Sequence, residues 1–339
     1  MRQSYIAVLA MALLLLLSGC NEAPQGAQQH HLQGSTMGTY YSVKFYTDTP
    51  PVLAELQQQL DKELELINDL MSTYRPDSEL MRFNALTSTE PQQLSAQTTE
   101  VVTEAIRIGQ QTAGILDITV GPLVELWGFG AAGRIERAPT AEQIDAITPY
   151  VGIDKLQLTG AGLSKLDPRV ALDLSTIAKG YGVDRLADIL LSHGISQFLV
   201  DIGGDMRIGA AKPDGHWRLA IEKPISSGRA VQRILNLEHI SLATSGDYRN
   251  YFEQDGVRFS HLIDPRTAQP IQHRTVSSTV LHPNAMTADA YATTLNVMAA
   301  DEALAFAEQH GIAVLIIEKT ADGFVERISS AFSPFIIEH

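Results

Sequence analysis

The run "VSSTVLHPNAMTADAYATTLNVMAADEALAFAEQHGIAVLIIE", Val276–Glu318, decides the fold class. "VSSTVLH" reads as a strand, by its β-branched residues. A helix rich in Ala, Met, Leu and Val follows over Asn284–Ala300, then a second over Glu302–His310, and "IAVLIIE" ends the run as a buried strand. Upstream, "QFLVDIG", "WRLAIEKP", "ISLATSG" and "VRFSHLID" are short runs broken by Gly, Pro or Asp. In the N-terminal half, "GTYYSVKFY" (Gly38–Tyr46) alternates Tyr41, Val43 and Phe45 against Ser42 and Lys44, as a strand does. The spacing of Val52, Leu53, Leu56, Leu60, Leu64, Ile67 and Leu70 predicts an amphipathic helix to Met71. A second helix is expected over Thr98–Gln111, and a third opening at Asp173 and ending at Gly194. Strands and helices mix without strict βαβ alternation, so the expectation is α+β in one compact unit, residues 34–339.

The chain has 339 residues, 45% of them hydrophobic, enough for a sizeable core. Its first twenty, "MRQSYIAVLAMALLLLLSGC", read as a signal rather than as fold: Arg2, an apolar run from Ile6 to Leu17, then Ser18 and Gly19 before Cys20. The apolar run is short for a permanent span. Residues 1–19 are expected to be removed. Cys20, the only cysteine, follows the small pair in a pattern that resembles a bacterial lipoprotein signal, with an ordinary signal peptide or an uncleaved anchor as the alternative; once lipidated, Cys20 would leave no thiol for a disulfide or a Cys–zinc site. Residues 20–33 read as a polar, lipidated tether. Without residues 1–19, 24 basic residues face 39 acidic ones, a net charge of −15. That balance argues against nucleic-acid binding. An anionic substrate must then be met by a metal or by local dipoles.

On the Asn284–Ala300 helix, Asp289 and Thr293 stand one turn apart and share a face. A hard divalent cation such as Mg2+ favours such oxygen donors. Equally, Asp289 in the first turn could complement the helix dipole while Thr293 bonds back to a carbonyl. "ALDLSTIAKGYGVDRLADIL" (Ala171–Leu190) places Asp173, Ser175 and Thr176 at a helix start, where unpaired N–H groups suit a phosphate, with Lys179 on the same face as Thr176. The bland alternative is a capped helix and a solvated lysine. Gly180 and Gly182 inside that helix cost about 1 kcal/mol each against Ala, and a close neighbour would explain them. Gly203-Gly204 in "FLVDIGGDMRIG" marks a turn, without the spacing of a dinucleotide fingerprint. In "SGDYRNYFEQDGVRFSHLIDPRT" (Ser245–Thr267), Tyr248 and Tyr251 could flank a flat ring, and His261 is the best candidate proton acceptor.

Seven stretches in order resemble the ApbE family of FAD:protein FMN transferases, periplasmic lipoproteins. They are "MGT" (Met37–Thr39), "MSTYRPDSEL" (Met71–Leu80), "LDITVGPLVELWGFG" (Leu116–Gly130), "LDLSTIAKGYGVD" (Leu172–Asp184), "DIGGD" (Asp201–Asp205), "HLIDPRT" (His261–Thr267) and "TADAYATTL" (Thr287–Leu295). The resemblance implies an ApbE-type, T-fold-like α+β domain. It implies flavin-nucleotide contacts from Met37, Tyr74, Ile115, Leu116, Asp117, Asp173, Lys179 and the region of Ile263. It also implies Mg2+ ligands at Thr176, Asp289 and Thr293, with backbone help near Ala292. The implied reaction moves FMN from FAD onto a Thr (or Ser) of a target protein and releases AMP. His261, Asp289 and Lys179 are the expected catalytic groups, Lys179 adding positive potential. Expected acceptors are redox subunits of Na+-pumping quinone reductases and related electron-transport complexes. The expected address is the periplasmic side of the inner membrane, by a lipid on Cys20, with the outer membrane as the alternative. Two other activities stay open: an Mg2+-dependent FAD pyrophosphatase, and a non-catalytic flavin-binding lipoprotein.

Overall fold

The computed structural model describes residues 26–133, 135–225, 230–247 and 250–337. The signal stretch, Cys20 and Tyr248 therefore lie outside the described residues. Helices are α1 Leu53–Met71, α2 Glu79–Asn84, α3 Ala96–Gln111, α4 Gly121–Leu126, α5 Ala141–Ile147, α6 Ala178–Ser192, α7 Ala285–Val297 and α8 Ala300–His310. The main sheet has eight strands: β1 Gln28–Thr36, β2 Thr39–Thr47, β3 Gln197–Ile202, β4 Asp205–Ile208, β5 Ile240–Gly246, β6 Thr275–His282, β7 Ala313–Thr320 and β8 Gly323–Ile328. Their spatial order is their chain order, and every neighbouring pair is antiparallel. The expected α+β unit is this meander, with its helices inserted between strands.

Alternation sorts the sheet's side chains onto two faces. Val43, Phe45, Phe198, Val200 and Ile202 pack under α1 and α6. Ala243, Val280, Val314 and Ile316 pack under α7. Leu199, Ile208, Leu242, Leu281 and Leu315 face the other way and are covered by the hairpin Trp217–Glu222/Val231–Leu237. α7 is buried on all sides, and Thr293 is the one residue of the helix that is not buried. The helix has no broad solvent face, and its polar side chains, such as Thr287 with Glu104 and Thr294 with the Ala290 carbonyl, are hydrogen-bonded within the fold.

Two boundaries and three details differ from those read in the sequence. The tether was drawn to residue 33, but β1 starts at Gln28, pairing His30 with Phe45 and Leu32 with Val43. Its glutamines and histidines are those of an edge strand with one wet face, and only Leu32 and Thr36 are buried. The Asp173 helix begins only at Ala178, because the Asp173 carboxylate accepts the Ser175 N–H at 2.8 Å and holds a turn. Asp289 is not in the first turn of its helix, which holds no acidic residue. It is Thr294, not Thr293, that bonds back, to the Ala290 carbonyl at 2.7 Å. Val52 and Leu53, placed on the apolar face of α1, are exposed.

The two helical glycines have the close neighbours expected of them. A Cβ at Gly180 would lie 2.3 Å from the Ala285 carbonyl oxygen on α7. At Gly182 the nearest atoms would be the Ile202 and Met37 side-chain tips at 3.2 Å. Met37 reaches there from a two-residue hairpin turn in which Met37 and Gly38 both have positive φ, 49° and 71°. Gly180→Ala should therefore cost about 1–3 kcal/mol by overpacking against rigid backbone. Gly182→Ala should be near neutral, since flexible tips can give way. Urea unfolding of the two variants checks this; equal midpoints would mean that the helices can separate freely.

Candidate active site

The turn that delays α6 builds one wall of a cleft of about 380 Å3. Asn84, closing α2, clamps the backbone of Leu172: its Oδ1 accepts the Leu172 N–H at 2.7 Å and its Nδ2 donates to the Leu172 carbonyl at 2.8 Å. The next residue, Asp173, donates its N–H to the Ile118 carbonyl at 2.7 Å. The segments carrying Ile115–Asp117 and Asp173–Thr176 are thus fixed against each other. Asp117 accepts the Thr119 N–H and hydroxyl, both at 2.7 Å, which holds its own turn, while burial pushes its carboxyl up. On the far side, two hairpins, Tyr251–Ser260 and Ile263–Pro270, pack with α4 on Trp127 and Phe252.

Into this cleft come Tyr74, Ile115, Leu116, Asp117, Asp173, Thr176, Lys179, His261, Ile263, Asp289 and Thr293, as the sequence suggested. Two expected residues do not line it. Met37 is turned into the core between α1 and α6, because its tight turn aims the side chain there. Ala292 is buried inside α7, one position away from the cleft face that Thr293 occupies. Phe129, Ser245 and Asn250 line the cleft without having been singled out for it. Phe129 stood in a quoted motif, and its packing edge-on to His261, at 6.3 Å between ring centres, gives no signal in sequence. Tyr251 lies beneath the Arg258 guanidinium, 4.2 Å from it, rather than in the cleft.

The floor is electrostatically unusual. Lys179 forms an ion pair with the buried Asp205 and stands 4.0 Å from an Asp289 oxygen. Burial pulls its ammonium down, but Asp205 and Asp289 outweigh that and hold it well above the ordinary lysine range. Its charge is therefore largely spent on Asp205 rather than offered as free positive potential. Asp289 is pushed up by burial and by Asp205, against Lys179 and the Gly180 N–H, which it accepts at 3.0 Å. With Asp289 ionised, two carboxylates face one ammonium, a poor reception for a pyrophosphate and a good one for a cation. Thr176 Oγ1 is buried with no hydrogen-bond partner, a cost that native proteins seldom leave standing. Among the described residues no group of three or more His, Cys, Asp or Glu could hold a metal. One carboxylate with hydroxyls is instead the donor set of Mg2+, which keeps several waters. The residues fit such an ion.

His261 Nδ1 lies 3.0 Å from the Asn250 carbonyl oxygen. A carbonyl can only accept, so Nδ1 carries the proton and Nε2 keeps its lone pair. Burial lowers the histidine below its ordinary value of 6.5, so the neutral form prevails at pH 7.

Apolar side chains beside oxygen and nitrogen donors make this cleft the candidate active site of the α+β domain. The ApbE family model matches residues 37–316, and the chain belongs to that family. A Vibrio cholerae protein named FAD:protein FMN transferase is 53% identical over 333 residues, 97% of this chain and 98% of that protein. The Escherichia coli K12 protein of the same name is 39% identical, covering 99% of each. The solved structure of Vibrio cholerae flavin transferase ApbE superposes with a TM-score of 0.85 at 51% identity, covering 91% of this chain and 99% of that one. The apo form of Pseudomonas stutzeri flavinyl transferase ApbE also gives 0.85, at 36% identity, covering 91% of this chain and 97% of that one.

The orphaned hydroxyl yields a prediction. Thr176→Val keeps the shape and removes an unpaired polar group, so the protein in EDTA should gain up to about 1 kcal/mol of stability. Wild type should gain about 2.7 kcal/mol more when Mg2+ is at a hundredfold excess over its Kd, and Thr176→Val should lose that gain. Urea titrations with and without Mg2+ read both; a variant less stable in EDTA would give the hydroxyl a structural partner instead.

Proposed function

We propose that this chain is a Mg2+-dependent FAD:protein FMN transferase, which joins FMN from FAD through a phosphoester to a Thr (or Ser) of an acceptor protein and releases AMP. The observation that carries the reading is the convergence of Thr176 Oγ1, Asp289 and Thr293 beside Lys179, under an apolar rim of Ile115, Leu116 and Ile263. The rim suits a flat ring, and the floor would suit a pyrophosphate once it holds a cation. The names of the relatives supply the reaction that such a pairing serves.

Thr176, Asp289 and Thr293 would hold Mg2+, which when bound neutralises charge on the pyrophosphate and on the departing AMP. The residues of this chain do the rest. Ile115, Leu116 and Ile263 seat the isoalloxazine and keep water from it. Lys179, fixed by Asp205, keeps its ammonium at the floor and orients phosphate oxygens. His261 Nε2 accepts the proton of the acceptor hydroxyl as its oxygen bonds to the FMN phosphorus. The bond from that phosphorus to the AMP oxygen breaks in the same displacement, and AMP leaves with the electron pair. The acceptors would be redox subunits of Na+-pumping quinone reductases and related complexes. The chain would reach them from the periplasmic side of the inner membrane, anchored by a lipid on Cys20.

Incubating the full chain with FAD, Mg2+ and a candidate acceptor should give a fluorescent band with the mass of an FMN adduct, and AMP in equal amount. AMP without adduct would replace the proposal with a pyrophosphatase; bound FAD without AMP would replace it with a binding protein. Asp289→Ala should lower turnover at least about 100-fold while the protein stays folded, since a metal supplies several kcal/mol of charge stabilisation and each 1.36 kcal/mol is tenfold.

His261→Ala should cost about 10²–10⁴-fold in kcat, the range for a positioned base. Because His261 titrates below 6.5, kcat/KM should be flat near pH 7 and fall only as pH drops below that value. That limb should vanish in His261→Ala. An acid limb that survives the substitution would move the role of base to another group.

A further inference from the structure

Neither α6 nor α7 caps its own N-terminus. The residue before α6 is Ile177 and the residue before α7 is Asn284, and neither makes a side-chain cap bond. Each helix instead receives a carboxylate from the other. Asp289 on α7 accepts the N–H of Gly180, in the first turn of α6, at 3.0 Å. Asp184 on α6 accepts the N–H groups of Ala285 and Met286, the first two residues of α7, at 3.1 and 2.9 Å, one on each oxygen. On both helices the donor and the carboxylate are one turn apart, so the two helices are locked antiparallel in one register. Arg207, from β4, donates to the same Asp184 oxygen at 3.0 Å and ties the lock to the sheet.

Half of this lock lies in the cleft, and half does not. Asp184 is buried and is absent from the cleft lining. A one-oxygen lock would let α7 pivot, whereas two carboxylate oxygens on two successive N–H groups fix both rotation and axial position. The axial position of α7 sets where Asp289 and Thr293 sit relative to Thr176 and Lys179. We infer that Asp184 is a positioning residue of the active site: by holding the first turn of α7 on α6, it places Asp289 and Thr293 against Thr176. The inference rests on the reading of those three residues as the cation site.

The test separates capping from positioning. Asp184→Asn keeps shape but can accept only one of the two N–H groups. Asn284→Asp, at the residue before α7, supplies a local cap that owes nothing to α6. In full-length protein in detergent, calorimetric titration with Mg2+ should give a Kd raised roughly 10–100-fold in Asp184→Asn, the range seen when groups supporting metal ligands are removed. Adding Asn284→Asp should restore the urea midpoint but leave the Kd raised. If the double variant recovers both, Asp184 is a cap and nothing more, and an unchanged Kd in Asp184→Asn overturns the inference outright. Asp289→Asn is the control on the cation site, and an unaltered Mg2+ Kd there removes that reading by itself. Positioning is then still decided without metal, by hydrogen exchange at the Gly180 amide: it should speed at least about tenfold in the double variant, and unchanged exchange refutes the inference. Should Asp184→Asn fail to fold, Arg207→Gln loosens the same carboxylate and should move Kd and Gly180 exchange in the same direction; no movement in either sinks the idea.

Discussion

At Gly180 the backbone of α6 lies so near the Ala285 carbonyl of α7 that no side chain fits between them. Helices normally pack with their axes about 8–10 Å apart and side chains between them. Here glycine on one side and alanine on the other bring the first turns into direct contact, and the exchange of carboxylates satisfies N–H groups that would otherwise be buried and bare. Burying two carboxylates this deeply is costly. The cost is offset by backbone N–H bonds, by the positive ends of both helices, and by Arg207 and Lys179 as counter-charges. The helix pair then serves as a rigid floor, α6 pressed on β3 and β4 and α7 on β5 and β6, with α1 and α3 holding it from the other side.

Asp289 illustrates how structure and chemistry share one side chain. One of its oxygens closes the first turn of α6, and the other faces Lys179 and the cleft. Its position is thus dictated by folding before any ligand arrives, which lowers the ordering cost of binding. Thr176 is fixed differently. It sits in a turn that Asp173 and Asn84 hold, outside the helix, with its hydroxyl left unpaired. Two independent local structures, a helix lock and a clamped turn, therefore meet at one point.

The strands and the long helices were legible in sequence because burial imposes a period: Tyr41, Val43 and Phe45 are all fully buried, as their alternation requires. β1 was not, because an edge strand with a wet face has the composition of a linker. The start of α6 was misplaced because Asp173 and Ser175 can cap a helix or make a turn with the same atoms, and the clamp from Asn84, 88 residues away, decides between them. Of the site, the members with oxygen or nitrogen at helical spacing, Asp289, Thr293 and Lys179, could be read. Asp205 and Asp184 stood inside quoted motifs, yet their work is done across helices and strands that only the fold brings together. Met37 does not line the cleft for a related reason: its motif marks a turn with positive φ, and the turn directs the side chain toward the core.

The charge of the chain poses one remaining constraint. With an acidic excess over the whole molecule, long-range steering works against an anionic dinucleotide. Lys179 does not reverse this locally, because Asp205 answers its charge at contact distance. Attraction for a pyrophosphate must then arrive with a cation. In the proposed reading the same cation would relieve the crowding of Asp289 and Asp205 and would give Thr176 Oγ1 a partner. Metal and nucleotide would then each improve the site for the other, since such coupling is reciprocal by necessity. A floor that is negative when bare and receptive only when loaded would discriminate against free phosphates without any dedicated barrier, which would be a use for burying carboxylates beneath a substrate of their own sign.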